Sequence, residues 1–254
     1  MPRGYVIYSG VSELDGRPIV AIATGFSDPS SNRKLGTRLQ QVWILRGDIN
    51  PVEAVLTGED RSICGDCRFR GKAEARRVTD RTCYVPVFQA PFAIWNCYAR
   101  SSSYTLVSED QITALFAGCG VRLGAYGDPA AIPPRVWQAV TAKAAFWTGY
   151  THQWRTCDPI FARWCMASCE TEAEREMARA LGYRTFRTTW RNAWADRLDG
   201  EIVCPASAEA GKKTTCDQCR VCGGNNARGS RTDVVITMHG VGAKRFRTQH
   251  RVAA

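Results

Sequence analysis

The feature that most constrains this 254-residue chain is a run of cysteines in its last quarter. Cys216, Cys219 and Cys222 stand three residues apart, and Cys204 lies twelve residues before the first of them. A disulfide needs a defined separation between its two Cα atoms, so thiols this close in sequence cannot all pair locally. A metal ion or cluster instead accepts several thiolates that converge on one point. We therefore predict that the segment 204–222 binds a metal.

Two kinds of metal site fit this spacing, and the residues leave both open. Zinc sites usually present two separated C-x2-C pairs. An unbroken C-x2-C-x2-C run with a remote cysteine next to a proline is closer to iron–sulfur ligation, and Pro205 follows Cys204 here. An iron–sulfur cluster is the first prediction for this segment. The alternatives are a zinc knuckle that staples a loop and a loop without metal.

A second, smaller group of cysteines lies in the first third of the chain. Cys64 and Cys67 form a C-x2-C turn, and Cys83 follows fifteen residues later as a third candidate ligand. Cys97 is a possible fourth ligand, although its apolar surroundings favour a place in the core. Three protein ligands leave an open position that suits a reactive metal, whereas four ligands close the site. A redox dithiol at Cys64 and Cys67 is the alternative.

The composition is that of an ordinary globular chain, with 44 % apolar and 23 % charged residues. The N-terminal residues carry no apolar stretch typical of a signal peptide, and no segment has the length of a membrane span. We therefore expect a cytoplasmic protein without a membrane partner. In a reducing compartment, twelve cysteines favour metal or redox chemistry over a disulfide framework.

The net charge of +10 is carried mainly by arginine. Excess positive charge attracts nucleic acid and other phosphate-bearing partners. The arginines are scattered, however, and a GC-rich genome that supplies arginine codons explains them equally well. Nucleic acid is therefore a candidate partner, and the sequence leaves the oligomeric state open.

The N-terminal segment 1–50 is predicted to form a small antiparallel β add-on. Its strands are expected at Tyr5–Tyr8, Pro18–Thr24 and Gln40–Leu45, where β-rich runs are bounded by turn residues. Asn50 and Pro51 are then typical of the start of a helix, which Gly58 ends.

The segment 51–254 is predicted to form a β/α domain, because helical and strand patterns alternate from Val107 onward. Right-handed crossovers make such a repeat a parallel sheet. The fold class is therefore α/β, with a partial or distorted β/α (TIM-like) barrel and a C-terminal metal-binding segment at 204–222. The predicted strands are Val121–Tyr126, Phe146–Tyr150, Trp164–Ser168, Tyr183–Thr188, Ile202–Val203 and Asp233–Met238.

Ligands of parallel α/β folds bind at the carboxyl ends of the strands. Asp128 and His152 follow predicted strands and are our candidate catalytic residues. Tyr150 and Arg187 lie at strand ends in the same way and are expected to contact a cofactor, and Cys204 is placed at the same edge of the sheet. Each has an alternative role, since Asp128 precedes a proline that favours a simple turn cap, and His152 suits a half-buried structural position.

The sequence Gly124-Ala125-Tyr126-Gly127-Asp128-Pro129 resembles the Gly-Glu-Pro turn of radical S-adenosylmethionine enzymes. In that family an acidic residue contacts the amino group of the methionine moiety, and the resemblance gives this role to Asp128. It implies that Gly124 and Gly127 line an S-adenosylmethionine site. It also implies one 4Fe-4S cluster on Cys64, Cys67 and Cys83 and an auxiliary cluster on the segment 204–222. The family has a C-x3-C-x2-C motif where this chain has spacings of two and fifteen residues.

Four blocks of the chain are also similar to an uncharacterised family of phage and prophage proteins: Ser62–Cys67, Val121–Pro129, Thr148–Trp154 and Cys204–Cys222. This resemblance implies that the host cytoplasm is the setting. It also favours a nucleic acid or a nucleobase as the substrate.

Three hypotheses for the function follow. The first is an iron–sulfur enzyme that uses S-adenosylmethionine. The second is a zinc-stapled protein that binds nucleic acid without chemistry of its own. The third is a zinc-bearing barrel that modifies a nucleobase, with Asp128 as nucleophile or base.

Overall fold

A computed structural model describes residues 4–27, 34–36, 39–100, 103–226 and 232–252. Its strands, in chain order, are β1 (Gly4–Val11), β2 (Pro18–Thr24), β3 (Leu39–Arg46), β4 (Lys72–Glu74), β5 (Arg77–Thr79), β6 (Thr105–Leu106), β7 (Gly120–Tyr126), β8 (Phe146–Thr151), β9 (Met166–Cys169), β10 (Thr185–Thr189), β11 (Glu201–Val203) and β12 (Asp233–Thr237). Strands β4 and β5 form a separate hairpin, and the other ten share one sheet.

The sheet has the order β11-β12-β10-β9-β8-β7-β3-β2-β1-β6. Every neighbouring pair from β11 to β3 is parallel. Strand β2 runs antiparallel to both β3 and β1, and β1 is parallel to β6. The predicted α/β class with a large, mostly parallel sheet is therefore confirmed. The described strands leave the sheet open between β11 and β6, so closure into a barrel is not confirmed.

The N-terminal strands belong to the same sheet as the β/α part. Strand β3 pairs with β2 in antiparallel fashion and with β7 in parallel fashion, and Trp43 lies opposite Tyr126. The predicted strands of the segment 1–50 are therefore present, within the part of it that the structure describes. They extend the parallel sheet directly at β3.

The helices are α1 (Pro51–Thr57), α2 (Arg61–Cys64), α3 (Ala90–Arg100), α4 (Glu109–Leu115), α5 (Pro134–Ala142), α6 (Glu172–Ala180), α7 (Cys216–Cys219) and α8 (Ala243–Val252). The predicted start of α1 is confirmed, because the Asn50 side chain accepts a hydrogen bond from the Glu53 N–H at 2.9 Å. Gly58 ends that helix in the left-handed conformation.

One face of the parallel sheet is covered by helices and forms the main apolar core. Val121, Leu123 and Ala125 of β7 point to this face and pack in the same cluster as Trp137 of α5 and Ala178 of α6. Alternate residues of a strand point to opposite faces, so the remaining residues of β7 lie on the other side.

That other face carries Arg122 of β7 and Tyr150 of β8, because Arg122 pairs with Thr148 in the strand register. Further along the sheet it carries a smaller apolar cluster of Met166, Cys204, Val234 and Ile236 with Phe186, Ile202, Cys216 and Cys222 packed against it. We call this face of the sheet the cysteine face. It carries the cysteines of the last quarter of the chain.

Among the described residues, no helix is both long enough and apolar enough to cross a lipid bilayer.

Candidate metal centres

The C-terminal thiol set, defined as Cys204, Cys216, Cys219 and Cys222, lies against the cysteine face. Cys204 directly follows β11, so it lies at the carboxyl edge of the parallel strands, as predicted. Cys216 and Cys219 begin and end the short helix α7, and the chain then turns through a left-handed residue before Cys222. The Cys222 carbonyl accepts a hydrogen bond from the Gly149 N–H of β8 at 2.9 Å, which fastens the loop to the sheet.

The four thiols of this set lie close enough to influence one another electrostatically. Burial, with a smaller contribution from the charges of the other three cysteines, raises the pKa of the Cys222 thiol to about 12, and Tyr150 opposes the rise. Burial also raises the pKa of Cys204 and of Cys216, and the ammonium group of Lys34 opposes the rise at both. Without a metal, these buried thiols therefore stay protonated near neutral pH.

The N-terminal thiol set, defined as Cys64, Cys67 and Cys83, is brought together by a turn and a hairpin. Cys64 ends α2, and the Cys67 N–H donates to its carbonyl at 3.1 Å. The hairpin of β4 and β5 then returns the chain, and the Cys83 N–H donates to the carbonyl of Phe69 at 2.8 Å. Cys67 and Cys83, which have fifteen residues between them in the sequence, are thereby brought close to each other.

Burial is the main influence on this set as well. It raises the pKa of Cys64 and of Cys67, and the charge of Cys83 raises both further. Among its neighbours is Tyr126, the last residue of β7, whose pKa is raised first by burial and then by the charge of Cys64. The set therefore lies beside the carboxyl end of β7.

Both thiol sets supply the soft sulfur donors that zinc and iron–sulfur clusters require. All of their cysteines are free thiols. The described residues nevertheless contain no group of three or more His, Cys, Asp or Glu side chains already arranged to hold a metal ion. The donor atoms of each set suit a thiolate-bound metal, and the cysteines of each set lie near one another. Binding would require their sulfur atoms to move closer together.

Four buried polar atoms beside the N-terminal thiol set have no hydrogen-bond partner within the described part of the chain. They are the Tyr126 hydroxyl, Nε2 of His152, Nη2 of Arg81 and Oδ2 of Asp60. Arg81 and Asp60 are an ion pair, with Nη1 3.6 Å from Oδ2. The charge of Arg81 opposes the rise in the pKa of Cys64. The His152 ring lies 5.2 Å from the ring of Phe69, which lies between Cys67 and Cys83 in the sequence. A buried polar atom without a partner is costly, so such a concentration indicates a place where a ligand supplies the missing bonds.

Asp128 is 5 % exposed, and its carboxylate is held by its own chain. Oδ1 accepts from the Ala130 N–H at 3.0 Å and from the Thr151 hydroxyl at 2.8 Å, and Oδ2 accepts from the His152 N–H at 2.7 Å. Burial raises the pKa of Asp128 to about 6, although these hydrogen bonds oppose the rise. The turn-capping role left open by the sequence is therefore present, and the predicted contact with a cofactor stays a prediction.

His152 lies beside Asp128 as a neutral ring. Its Nδ1 is 3.8 Å from Oδ2 of Asp128, which would be an ion pair only if the ring were protonated. Burial lowers the pKa of His152 to about 4, so the ring is uncharged at neutral pH. A neutral ring with a free Nε2 next to the N-terminal thiol set can accept a proton or a hydrogen bond from a ligand.

Gly124 and Gly127 occupy backbone positions that exclude a side chain. Gly124 has φ +73° and Gly127 has φ +83°. A Cβ atom on Gly127 would lie 2.6 Å from Cβ of Ile44, and one on Gly124 would lie 2.6 Å from the Gly127 carbonyl oxygen. The packing of the turn therefore accounts for both glycines, and their predicted contact with a cofactor stays a prediction.

The two remaining predicted cofactor residues lie apart from each other. Tyr150 is on the cysteine face and packs in the same cluster as Cys222, so it borders the C-terminal thiol set. Arg187 lies on the opposite face, because it pairs with Cys169 while its neighbour Phe186 packs on the cysteine face. Its guanidinium is engaged by Glu201 at 2.8 Å and Asp196 at 2.7 Å. The structure thus gathers the two thiol sets, Asp128, His152 and Tyr150 along one edge, and leaves Arg187 outside.

Sequence reasoning missed Arg122, Tyr84 and Lys34, all of which border the thiol sets. Arg122 influences the pKa of Cys216 and donates a hydrogen bond to the hydroxyl of Tyr84, the residue after Cys83. The signal that identifies Arg122 is a charged residue inside the otherwise apolar strand Val121–Tyr126. It points to the face opposite the apolar core.

We expect Gly127→Ala to destabilise the protein more than Gly118→Ala does. Gly118 also has a positive φ, of +72°, but an added Cβ there meets no atom within 4 Å. Gly118→Ala should therefore cost about 1 kcal/mol of unfolding free energy through backbone strain alone. Gly127→Ala should cost about 2–5 kcal/mol, because overpacking against Ile44 adds to the strain. Urea denaturation of both variants measures the difference, and equal losses would contradict the close approach of the turn to β3.

The raised pKa of Asp128 predicts a loss of stability as the pH rises. The folded state holds the proton up to about pH 6, whereas the unfolded chain releases it near pH 4, so unfolding becomes easier across that window and then levels off. The free energy of unfolding of the wild type, relative to Asp128→Asn, should fall by about 3 kcal/mol between pH 4 and pH 7. A constant difference between the two proteins would show that Asp128 ionises normally.

Comparisons of the chain with protein-family models, with curated proteins and with solved structures find no match. A function for this protein must therefore be inferred from its own residues and their arrangement.

Proposed function

We propose that the protein is an iron–sulfur enzyme with two metal centres, one for each thiol set. The N-terminal thiol set would hold the reactive centre, and the C-terminal thiol set would hold a second, closed centre. One observation carries the proposal: three partly buried thiols, rather than four, lie beside buried polar atoms of Tyr126, Arg81 and His152 that lack a hydrogen-bond partner in the described chain. This combination suits a cluster with one open iron position.

The count of ligands distinguishes the two sets. Cys97, the possible fourth ligand of the N-terminal set, is exposed on helix α3 and is not among the groups that act most strongly on Cys64 or Cys67. Three thiolates leave one coordination position for a substrate or a co-substrate. The C-terminal set has four thiols, which suits electron transfer or structural support.

Residues around the open position would bind and orient what enters it. Tyr126 offers a hydroxyl, Arg81 offers a charged N–H group, and His152 offers a neutral ring nitrogen. A 4Fe-4S cluster, when bound, supplies single electrons and an open iron to this site. These three side chains would contribute hydrogen bonds that are now missing, so ligand binding would relieve their desolvation cost.

The proposed binding site of S-adenosylmethionine is the Gly127-Asp128-Pro129 turn. The turn lies at the carboxyl end of β7, next to the N-terminal thiol set, where a partial barrel of parallel strands would bind a cofactor. The Asp128 carboxylate is already hydrogen-bonded to Thr151 and to the backbone, so a contact with the cofactor ammonium would have to be made in addition to these bonds.

A nucleic acid or a nucleobase-related molecule is the proposed substrate. The net charge is +10, and helix α8 presents exposed Lys244, Arg245 and Arg247. This helix packs beside the N-terminal thiol set, because the ring of its buried Phe246 lies 5.7 Å from the ring of Phe69. A basic helix at this position would attract a phosphate backbone towards the reactive centre.

The second candidate is a zinc protein that binds nucleic acid or modifies a base. It is favoured by the four thiols of the C-terminal set, a number that also suits a closed structural zinc site. In a base-modifying version the raised pKa of Asp128, about 6, would suit a general base near neutral pH.

Anaerobic purification of the wild type and three variants tests the proposal. The variants are the triple change Cys64→Ser, Cys67→Ser and Cys83→Ser, the double change Cys216→Ser and Cys219→Ser, and the control Cys119→Ser outside both sets. We expect iron, sulfide and visible absorbance in the wild type. The triple and the double variant should each lose part of the iron, the sulfide and the absorbance, because removing thiolates removes the centre that they hold. The control should match the wild type.

The two sets should differ in sensitivity to air. An open iron is exposed to oxygen, so the N-terminal centre should be destroyed first in air. The absorbance that the wild type loses first should therefore be the absorbance that the triple variant lacks. Zinc without visible absorbance in the wild type would favour the second candidate. Unchanged metal content in both set variants would contradict both candidates.

A further inference from the structure

Within the described ranges of the chain five arginines are buried, and four of them have strong acceptors. Arg46 pairs with Asp48 and Glu59, and Arg175 and Arg187 pair with carboxylates of β11, β12 and the loop before β11. Arg184 donates to three backbone carbonyls, those of Val221, Gly224 and Thr232. These partners satisfy the expectation that a buried charge is paired and hydrogen-bonded.

Arg122, the fifth, is different. Its side chain is 9 % exposed, and the hydroxyl of Tyr84 is its one hydrogen-bond acceptor among the described residues. No described carboxylate lies within ion-pairing distance of it. A guanidinium has five N–H donors, so most of its hydrogen-bonding capacity is unused.

The unused donors of Arg122 are within reach of a ligand. The side chain is 9 % exposed rather than fully enclosed. A buried guanidinium that has no carboxylate and is open on one side is the arrangement that binds phosphate or another oxyanion through paired hydrogen bonds.

Two aromatic rings stand at the surface next to this arginine. The guanidinium carbon of Arg122 is 5.8 Å from the centre of the Tyr84 ring, which is 41 % exposed. The Tyr84 ring is stacked on the exposed His239, with ring centres 6.0 Å apart and an angle of 29° between the planes. Lys34 adds positive charge, since it influences the pKa of His239. Stacked exposed rings beside a cation are a platform for a planar base.

We propose that Arg122, Tyr84 and His239 form a nucleotide-binding site between the two thiol sets. The Arg122 guanidinium would bind a phosphate group, and the Tyr84–His239 pair would stack on the base. The choice of a nucleotide as the ligand rests on the proposed function, because that function requires a phosphate-bearing substrate at this edge of the sheet. The unpaired guanidinium itself is independent of that function.

The site lies where a substrate would reach both centres. Tyr84 follows Cys83 of the N-terminal set, and the charge of Arg122 influences the pKa of Cys216 in the C-terminal set. A competing explanation is that Arg122 only balances the negative charge of metal-bound thiolates at the C-terminal set. That explanation predicts a loss of metal, rather than a loss of nucleotide binding, when the charge is removed.

Fluorescence anisotropy with a labelled single-stranded oligonucleotide of mixed sequence separates the two explanations. The proteins are the wild type, Arg122→Gln, Arg122→Lys, the double change Tyr84→Ala with His239→Ala, and Arg135→Gln. Arg135 is an exposed residue of α5, on the helix-covered face, so its variant has the same charge loss away from the site. Unlabelled mononucleotide and inorganic phosphate serve as competitors, and iron content is measured on every protein.

We expect Arg122→Gln to weaken oligonucleotide binding about tenfold to a hundredfold, because a charge-assisted contact is lost. Arg122→Lys should recover part of the affinity, and the Tyr84 and His239 double variant should lose about tenfold through stacking. Arg135→Gln should bind as the wild type does. Competition by mononucleotide would identify a free nucleotide as the ligand, and competition by a longer strand alone would identify a nucleic acid.

Three results would overturn the inference. They are wild-type affinity in Arg122→Gln, loss of iron in that variant with binding retained, or no binding of any probe by an iron-loaded wild type. Should Arg122→Gln fail to fold, the double variant at the surface decides the question, and unchanged affinity there would overturn the inference equally. Binding by a wild type that holds no iron would support this site and contradict the proposed function.

Discussion

The hydrogen bonds of Asp128 are the interaction on which the candidate reactive site depends. Its carboxylate joins the end of β7 to the end of β8 through Thr151 and the His152 N–H. Its own N–H donates to the carbonyl of Ile63 at 2.6 Å, so the same residue fixes the helix that ends at Cys64. One buried acid therefore sets the position of the first thiol relative to two strand ends. Burial disfavours the charged form of this acid, and its pKa is therefore raised to about 6.

Electrostatics then determine what can occupy the cysteine face. Buried thiols such as Cys222, with a pKa of about 12, are neutral without metal, and a metal that binds them must displace protons. The negative charge that results needs positive neighbours. Lys34 and Arg122 supply these at the C-terminal set, where both already lower the pKa of Cys216. The same positive charges should therefore increase the affinity for metal and attract a phosphate-bearing substrate.

The parallel part of the fold was largely predictable from the sequence. The strands predicted at Val121–Tyr126 and Phe146–Tyr150 agree with β7 and β8 within one residue, because apolar runs bounded by turn residues are a local signal. The strand order was not predictable in this way. Strand β12 lies between β10 and β11, and such an order depends on long-range packing that no local pattern records.

The elements that the sequence analysis missed are those with weak apolar patterns. The hairpin of β4 and β5 consists of three-residue strands that are mostly exposed, and α8 is a basic helix anchored mainly by buried Phe246. Both cysteine groups were predicted from their spacing to bind metal, and that stays a prediction. Arg122 was missed because a single arginine among many scattered ones carries no signal until the strand register assigns its face.

The central claim is that each thiol set binds its own metal centre on the folded chain. Native mass spectrometry of anaerobically purified protein tests it most directly, because one spectrum reports every group that remains bound to the intact chain. The account predicts a main species that carries two 4Fe-4S clusters, with a minor species that has lost the more exposed one. A chain whose native mass equals that of the polypeptide alone, at full folding, would contradict the account.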